Sequence, residues 1–177
     1  QLKKNNIPLK YLKNIDLTWA KEDHSTLINQ YTNRGYILIF PFCSKKHLRK
    51  RWPFFKELVS KMRREFKNSY SILVAPGPGE FEEANKLNAK IVMKDGNPIS
   101  IKMLVSLIKD AKFIVANDTG PAHIASHLNK KGLVLFGRHT SAKKVSIENS
   151  NFKALSVQNL NELKVETVMD KIKINLN

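Results

Sequence analysis

A chain of 177 residues has room for one ordinary domain with a core of its own, with or without an added arm. Hydrophobic residues at 42% and charged residues at 26% exclude a disordered chain. The single cysteine, Cys43, excludes an internal disulfide and fits a reducing compartment, and no apolar run reaches the ~18 residues of a helical membrane span. Lys plus Arg number 31 against 15 Asp plus Glu, a net charge of +16, which calls for an anionic partner or surface. Half of that excess lies in Lys45 to Lys67, with ten basic residues against Glu57 and Glu65; for most of Lys56 to Lys67 a solvated helix face is the sufficient explanation.

Residues 1–35 read as an arm or interdomain connection. Gln1 to Lys13 is basic and weakly periodic, with no apolar segment that would make a signal peptide. The chain starts on Gln1 rather than Met, so a trimmed chain or a fragment is expected. A short helix is predicted from about Lys21 to Thr32. From Tyr36 to the end, residues 36–177, strands and helices alternate. Tyr36 to Phe40 is an apolar strand. Pro53 suits the first position of a helix carrying Phe55, Leu58, Val59, Met62 and Phe66 at helical spacing. Ser71 to Ala75 is a strand ending in Pro76-Gly77-Pro78-Gly79, followed by a short helix over Glu80 to Leu87. Lys90 to Met93 is a strand and Ser100 to Asp110 a helix, with Ile101, Leu104, Val105 and Ile108 on one face. A strand over Phe113 to Ala116, a helix over Pro121 to Leu128, a strand over Leu133 to Phe136 and a further strand over Phe152 to Val157 follow. Asn159 is the expected cap of a final helix bearing Val165, Val168, Met169 and Ile172.

The strand runs are continuously apolar rather than alternating, as when helices cover both faces of a sheet. The predicted architecture is a Rossmann-like, doubly wound parallel sheet. Ligands in such sheets bind beyond the carboxyl ends of the strands, so the loops after Phe40, Ala75, Met93, Ala116 and Phe136 are the ones to inspect.

Three of them carry chemistry. Asn117-Asp118-Thr119-Gly120-Pro121-Ala122-His123 leaves a strand and opens a helix. Gly120 permits close backbone approach, and the helix start offers N–H groups and the positive end of its dipole to an anion. Asp118, Thr119 and His123 would suit phosphate and sugar hydroxyls; the plainer alternative is that Asp118 or Thr119 caps the helix and His123 packs. The second loop, Phe42 to Pro53, offers Ser44 and several cations, Lys50 among them, that can pair with phosphate, or is a charged surface loop; Trp52 is expected to plug the core beneath it. The third, Gly77-Pro78-Gly79-Glu80, lacks the dinucleotide fingerprint; its Glu80 can hold ribose hydroxyls or act simply as a first-turn acid. His123 and His127 stand i, i+4 with no third ligand nearby, so no metal site is expected. Cys43 has no base close in sequence and reads as an idle thiol.

Together these loops resemble glycosyltransferase family 9, the heptosyltransferases of lipopolysaccharide core assembly. Pro41-Phe42-Cys43-Ser44 looks like its "PGxS", Lys50-Arg51-Trp52-Pro53 matches "KRWP", and Gly77 to Glu80 resembles its "GxxxE" region. Asn117 to Pro121 with His123 matches "NDTGPxH", and Phe136-Gly137 with Thr140 falls near "FGxT". The resemblance covers roughly Tyr36 to Val157, with Asp16-Leu17-Thr18-Trp19 like the segment that precedes that half. It implies the C-terminal half of a GT-B fold, which binds a nucleotide sugar, usually ADP-heptose. The other half would hold the lipopolysaccharide acceptor and supply the catalytic base, for an inverting transfer with no cofactor and no reliance on a DxD-bound metal.

Residue by residue, the resemblance implies that Lys50 neutralises the diphosphate, Ser44 binds phosphate, and Glu80 (or its neighbours Glu82 or Glu83) holds the ribose. Asp118 would contact sugar hydroxyls, Thr119 and Gly120 would offer backbone N–H groups, and His123 would orient Asp118 or the sugar. Phe42 stands where the family has Gly, which would narrow the phosphate approach. Arg138-His139 stands where the family has Pro, which leaves that loop without an assigned role and the donor open to another nucleotide sugar. The implied location is cytoplasmic, with peripheral contact to the anionic inner leaflet, and no nucleic acid is expected as a partner. The competing expectation is a non-catalytic basic Rossmann-like module that binds nucleic acid or anionic lipid.

Overall fold

The structure, a computed structural model, describes residues 3–5, 18–20 and 22–176. The basic stretch 1–13, apart from Lys3–Asn5, and the pair Asp16-Leu17 lie outside the described residues. Six strands form one parallel sheet: β1 (Tyr36–Phe40), β2 (Ser71–Val74), β3 (Lys90–Ile91), β4 (Phe113–Asn117), β5 (Gly132–Phe136) and β6 (Phe152–Ser156), in the spatial order β3-β2-β1-β4-β5-β6. This is the doubly wound Rossmann order, and chain direction through the sheet reverses between β1 and β4.

The continuous apolar runs arise because both sheet faces are covered. Ile37 and Ile39 of β1 point into one core with Phe55, Leu58, Val59 and Met62 of α2 (Phe55–Glu65) and with Val165, Val168, Met169 and Ile172 of α7 (Val165–Leu176). Tyr36, Leu38 and Phe40 point the other way, to Leu107 and Ile108 of α4 (Ile101–Asp110) and Ala122 and Ala125 of α5 (Gly120–His127). Each buried Leu-sized side chain contributes about 1.5–3 kcal/mol, so neither face tolerates a polar alternation. The remaining helices are short: α1 (Ser25–Asn29), α3 (Phe81–Asn85) and α6 (Ala142–Val145).

Thr18–Ala20 and residues 22–32 pack onto the domain. Ala20 is buried. Glu22 N donates to Ser106 Oγ at 2.9 Å, and Ser100 Oγ donates back to Glu22 at 2.9 Å. The Tyr31 hydroxyl donates to Met93 O at 3.0 Å and accepts from Met93 N at 3.1 Å, closing the β3 edge. The helix expected over Lys21 to Thr32 is only the five residues of α1.

Some expected boundaries shift for local reasons. Pro53 lies in a turn before α2 rather than at its first position; the ladder starts with Leu58 N donating to Phe54 O at 3.0 Å. Asn159 accepts from Asn161 N and caps a 3-10 turn, Leu160–Glu162, and α7 starts only afterwards, at Val165. The strand expected over Lys90 to Met93 is two residues, because Met93 N is taken by the Tyr31 hydroxyl instead of a ladder partner. Ser100 caps α4, accepting from Met103 N at 3.1 Å.

Candidate functional site

The parallel register brings Phe40 beside Ala116, so the chain leaves β1 and β4 as neighbours at the switch point. The next residues are tied at once. Asn117, fully buried at the end of β4, donates from Nδ2 to Pro41 O at 2.7 Å and accepts the Trp52 backbone N–H at 3.1 Å. One amide side chain thus fixes both ends of the basic loop after β1. Trp52 seals the floor: it is 1% exposed, its Nε1 donates to Leu163 O at 2.9 Å, and its ring meets Phe54 and Phe55 edge-on. Sequence reasoning expected the Trp52 plug but gave Asn117 no role beyond its place in the motif.

With its ends pinned, Lys45–Lys50 winds as 3-10 turns. Ser44 caps them, its hydroxyl oxygen accepting from Lys46 N at 3.4 Å. Lys50 then reaches across the switch point, and its ammonium lies 2.7 Å from Asp118 Oδ2. Asp118 is nearly buried, its side chain 3% exposed. Burial alone pushes its carboxyl up, but the hydrogen bond and charge of Lys50, with His139 and His123 nearby, outweigh burial and hold the pKa below the usual carboxylate value. Asp118 is therefore an anion at neutral pH.

Thr119 occupies the N-cap position of α5, but neither its side chain nor that of Asp118 makes a capping hydrogen bond. Asp118 is committed to Lys50, and the Thr119 hydroxyl donates to Asn117 O at 3.3 Å without capping α5. Gly120 is the first residue of α5 with Pro121 second, and a Cβ on Gly120 would meet no atom within 4 Å. His123, one turn on, places Nε2 3.5 Å from Asp118 Oδ1.

The loop after β2 supplies the third wall. Gly79, at φ +76, allows the chain to turn sharply, and Glu80 clasps the turn by accepting Gly77 N at 2.7 Å. Of the three acids considered for this position, Glu80 reaches the cleft, Glu83 is paired with Arg51, and Glu82 is exposed.

These loops enclose one open cleft of about 780 Å³, within the range of small-ligand sites (about 300–1,000 Å³). Ser44, Lys50, Glu80, Asp118, Thr119 and Gly120 all line it; His123 stands behind Asp118. The apolar part of the wall includes Phe40, Pro98, Ile99, Leu104 and Ile124. Phe42 is buried and contributes to the lining, with the Arg51 guanidinium 5.3 Å from its ring centre. Cys43 also lines the cleft; burial, its largest influence, raises the thiol pKa, and Sγ donates to His47 O at 3.3 Å, so it stays a thiol. Among the described residues no three His, Cys, Asp or Glu side chains gather as metal ligands do, and no helix is long and apolar enough to cross a membrane.

One residue at the site went unassigned in the sequence. His139, in the loop after β5, has a side chain only 2% exposed that stacks on Phe136, with Nε2 3.4 Å from Asp118 Oδ2. The only signal was the departure from the expected Pro after Phe136-Gly137.

Comparison with known proteins gives a consistent placement. Residues 3–173 match the profile of glycosyltransferase family 9 (heptosyltransferase). Among solved structures, the E. coli heptosyltransferase WaaC with ADP superposes with a TM-score of 0.70 at 19% identity, over 92% of this chain and 52% of that one. E. coli ADP-heptose LPS heptosyltransferase II gives 0.71 at 20% identity, with the same coverage of 92% and 52%. UDP-GlcNAc 2-epimerase from Methanocaldococcus jannaschii shares the fold at a TM-score of 0.64 and 16% identity, over 91% of this chain and 45% of that one. No curated protein matches the chain significantly, and the chain spans about half the length of the two E. coli enzymes. On the profile match over nearly its whole length, the chain belongs to glycosyltransferase family 9, the heptosyltransferase family.

Proposed function

We propose that the cleft binds a nucleotide-sugar donor, with ADP-heptose or a related ADP-sugar as the preferred class. The chain is then the donor-binding half of an inverting glycosyltransferase that transfers the sugar to a lipopolysaccharide core acceptor. The observation that carries this reading is the convergence of Ser44, Lys50, Glu80, Asp118, Thr119 and Gly120, from three separate loops, on one cleft at the sheet's switch point. Each group has a task there. Lys50 neutralises the diphosphate and stabilises the leaving nucleotide. The Ser44 hydroxyl and the backbone at Thr119–Gly120 donate to phosphate oxygens. Glu80, one oxygen of which holds the Gly77 turn, offers the other to ribose hydroxyls. Asp118 accepts from sugar hydroxyls, with His123 behind it.

In this reading the nucleotide sugar is a substrate and no cofactor is required. The acceptor and the catalytic base belong to a complementary half, so the 177-residue chain binds donor but does not transfer it. Cations of the Lys45–Lys67 segment would let the enzyme dock peripherally on an anionic leaflet, which sedimentation with and without acidic lipid tests. Calorimetric titration of the chain with ADP and with UDP tests the donor. Saturable heat with ADP that falls in Lys50→Ala supports the assignment. Equal heat from both proteins removes Lys50 from its role, and a response to UDP alone changes the donor class.

A further inference from the structure

The Lys50–Asp118 contact creates a problem that the donor-binding reading, on which this inference rests, does not solve. If Lys50 is to meet a diphosphate, it must loosen its hold on Asp118, and Asp118 is too deeply buried to be compensated by solvent. His139 is the group placed to answer. Its imidazole is 2% exposed, lies 3.4 Å from the same Oδ2 that Lys50 occupies, and among the described residues finds no well-formed hydrogen bond on either ring nitrogen, Asp118 being its nearest polar neighbour. A buried imidazole held beside a buried carboxylate, yet short of a well-formed hydrogen bond to it, is costly until that bond is completed.

We propose that His139 is the positioning residue for Asp118: as a diphosphate draws the Lys50 ammonium away, His139 takes a proton from solvent and donates from Nε2 to Asp118 Oδ2. The exchange balances. The Lys50 Nζ–H···Oδ2 bond gives way to Nζ–H···O–P, one solvent proton is bound at the imidazole, and Nε2–H···Oδ2 forms. The buried carboxylate keeps a cationic partner throughout, while the cation it surrendered goes to the ligand.

The surroundings favour this direction. Without ligand, burial first, and then the Lys50 and Arg49 charges, hold the imidazole below its ordinary pKa, against the pull of Asp118. His139 is thus neutral near pH 7 while Lys50 sits on Asp118. Turning Lys50 toward an anion and adding that anion's charge both act to raise it. The other charged and titratable neighbours are accounted for: Arg49 and Lys50 lie on the 3-10 segment, Asp118 after β4, and His123 on α5 faces Asp118 Oδ1, the opposite oxygen. Phe136 of β5 stacks on the ring and cannot titrate.

The test is proton-linked calorimetry of the full chain with ADP near pH 6.5, in two buffers of different ionisation enthalpy. Comparison proteins are His139→Gln, whose amide can donate to Asp118 but cannot titrate, His139→Phe, which preserves the stack but no polar atom, and His123→Gln. The wild type is expected to take up a sizeable fraction of a proton on binding and to bind ADP several-fold more tightly at pH 6 than at pH 8. His139→Gln is expected to retain most of the affinity while losing that uptake, and His139→Phe to lose about ten-fold in affinity. ADP's own titration is common to all the proteins, so the difference between them reads His139. Uptake unchanged in His139→Gln, or lost instead in His123→Gln, overturns the proposal but leaves donor binding standing. Uptake no greater in the wild type than in His139→Phe likewise overturns it. Absence of ADP binding in the wild type overturns both readings together.

Discussion

Lys50 and Asp118, 68 positions apart in the chain, are joined by a 2.7 Å ammonium–carboxylate contact across the gap between β1 and β4. The cation suited to a diphosphate and the carboxylate suited to a sugar are therefore each other's partners before any ligand arrives. The pair holds the cleft's charge in place and keeps Asp118 ionised. Removing one member has two separable consequences. Lys50→Ala leaves Asp118 buried without its nearest cation and is expected to cost about 1–3 kcal/mol of stability, read as a lower denaturant midpoint. Asp118→Asn removes the charge that needs compensating, so the double variant is expected to regain part of that loss, as a double-mutant cycle would measure. ADP affinity should fall in both proteins that lack Lys50, whether or not stability is regained.

The same pair predicts an acid limit. The Lys50 ammonium, outweighing burial, holds the Asp118 carboxyl below its ordinary pKa in the folded chain, so the folded state binds fewer protons there than the unfolded one. Its contribution to stability is complete above the unfolded value and is lost as pH falls through the folded pKa. Wild type and Asp118→Asn compared by chemical denaturation should show a steeper fall for the wild type below about pH 4. Parallel curves would mean that Lys50 does not hold Asp118 in solution.

Much of this fold was legible because its strands are short, apolar and buried on both sides. Tyr36 to Phe40 could be placed to the residue since Ile37 and Leu38, though facing opposite layers, are both fully buried. The candidate site residues could be named because their loops punctuate the strand ends. What sequence could not show were contacts that exist only through the parallel register. Nothing local in Asn117 says that it will bridge Pro41 and Trp52, and nothing near Lys50 points to Asp118. His139 was invisible for the same reason: its burial depends on Phe136, its neighbour in sequence, and on Asp118, which only the β4–β5 pairing brings near. The capping role expected of Asn159 failed more locally, since a side chain that accepts from an N–H two residues on can start a 3-10 turn as readily as a helix.

Two glycines make opposite predictions and so separate fold from site. A Cβ on Gly132 would overlap the Phe152 ring and come within 2.8 Å of Ile114 O, and the carbonyl belongs to a central strand that cannot yield. Gly132→Ala is expected to cost about 2–4 kcal/mol, visible as a drop in melting temperature of more than about 5 °C. A Cβ on Gly120 meets nothing and points into open space, so Gly120→Ala should leave the melting temperature nearly unchanged, and an added methyl at the cleft should weaken ADP binding by about ten-fold, equivalent to 1.4 kcal/mol. Unchanged ADP affinity in Gly120→Ala would show that no ligand approaches the start of α5.

Asn117 offers the sharpest test of how the fold builds the cleft, because it lies beneath the cleft and does not line it. Its Nδ2 donates to Pro41 O and its Oδ1 accepts from Trp52 N, both contacts buried. Asn117→Ala strands one acceptor and one donor and is expected to cost about 2–4 kcal/mol. It should also loosen the Lys45–Lys50 segment by freeing both ends of the Pro41–Trp52 loop that carries it, so that ADP binding weakens even though no ligand contact has been deleted. Asn117→Asp keeps the acceptor toward Trp52 N but sets a carboxylate against Pro41 O and close to the buried Asp118 charge. At neutral pH it should be at least as damaging as the alanine. Below about pH 5 the new carboxyl can protonate and donate to Pro41 O, so the aspartate variant should recover stability relative to the alanine as pH falls. Denaturation of the two variants across that range reads the crossover; an aspartate variant that stays worse at every pH would mean that the Pro41 contact is not what holds the loop.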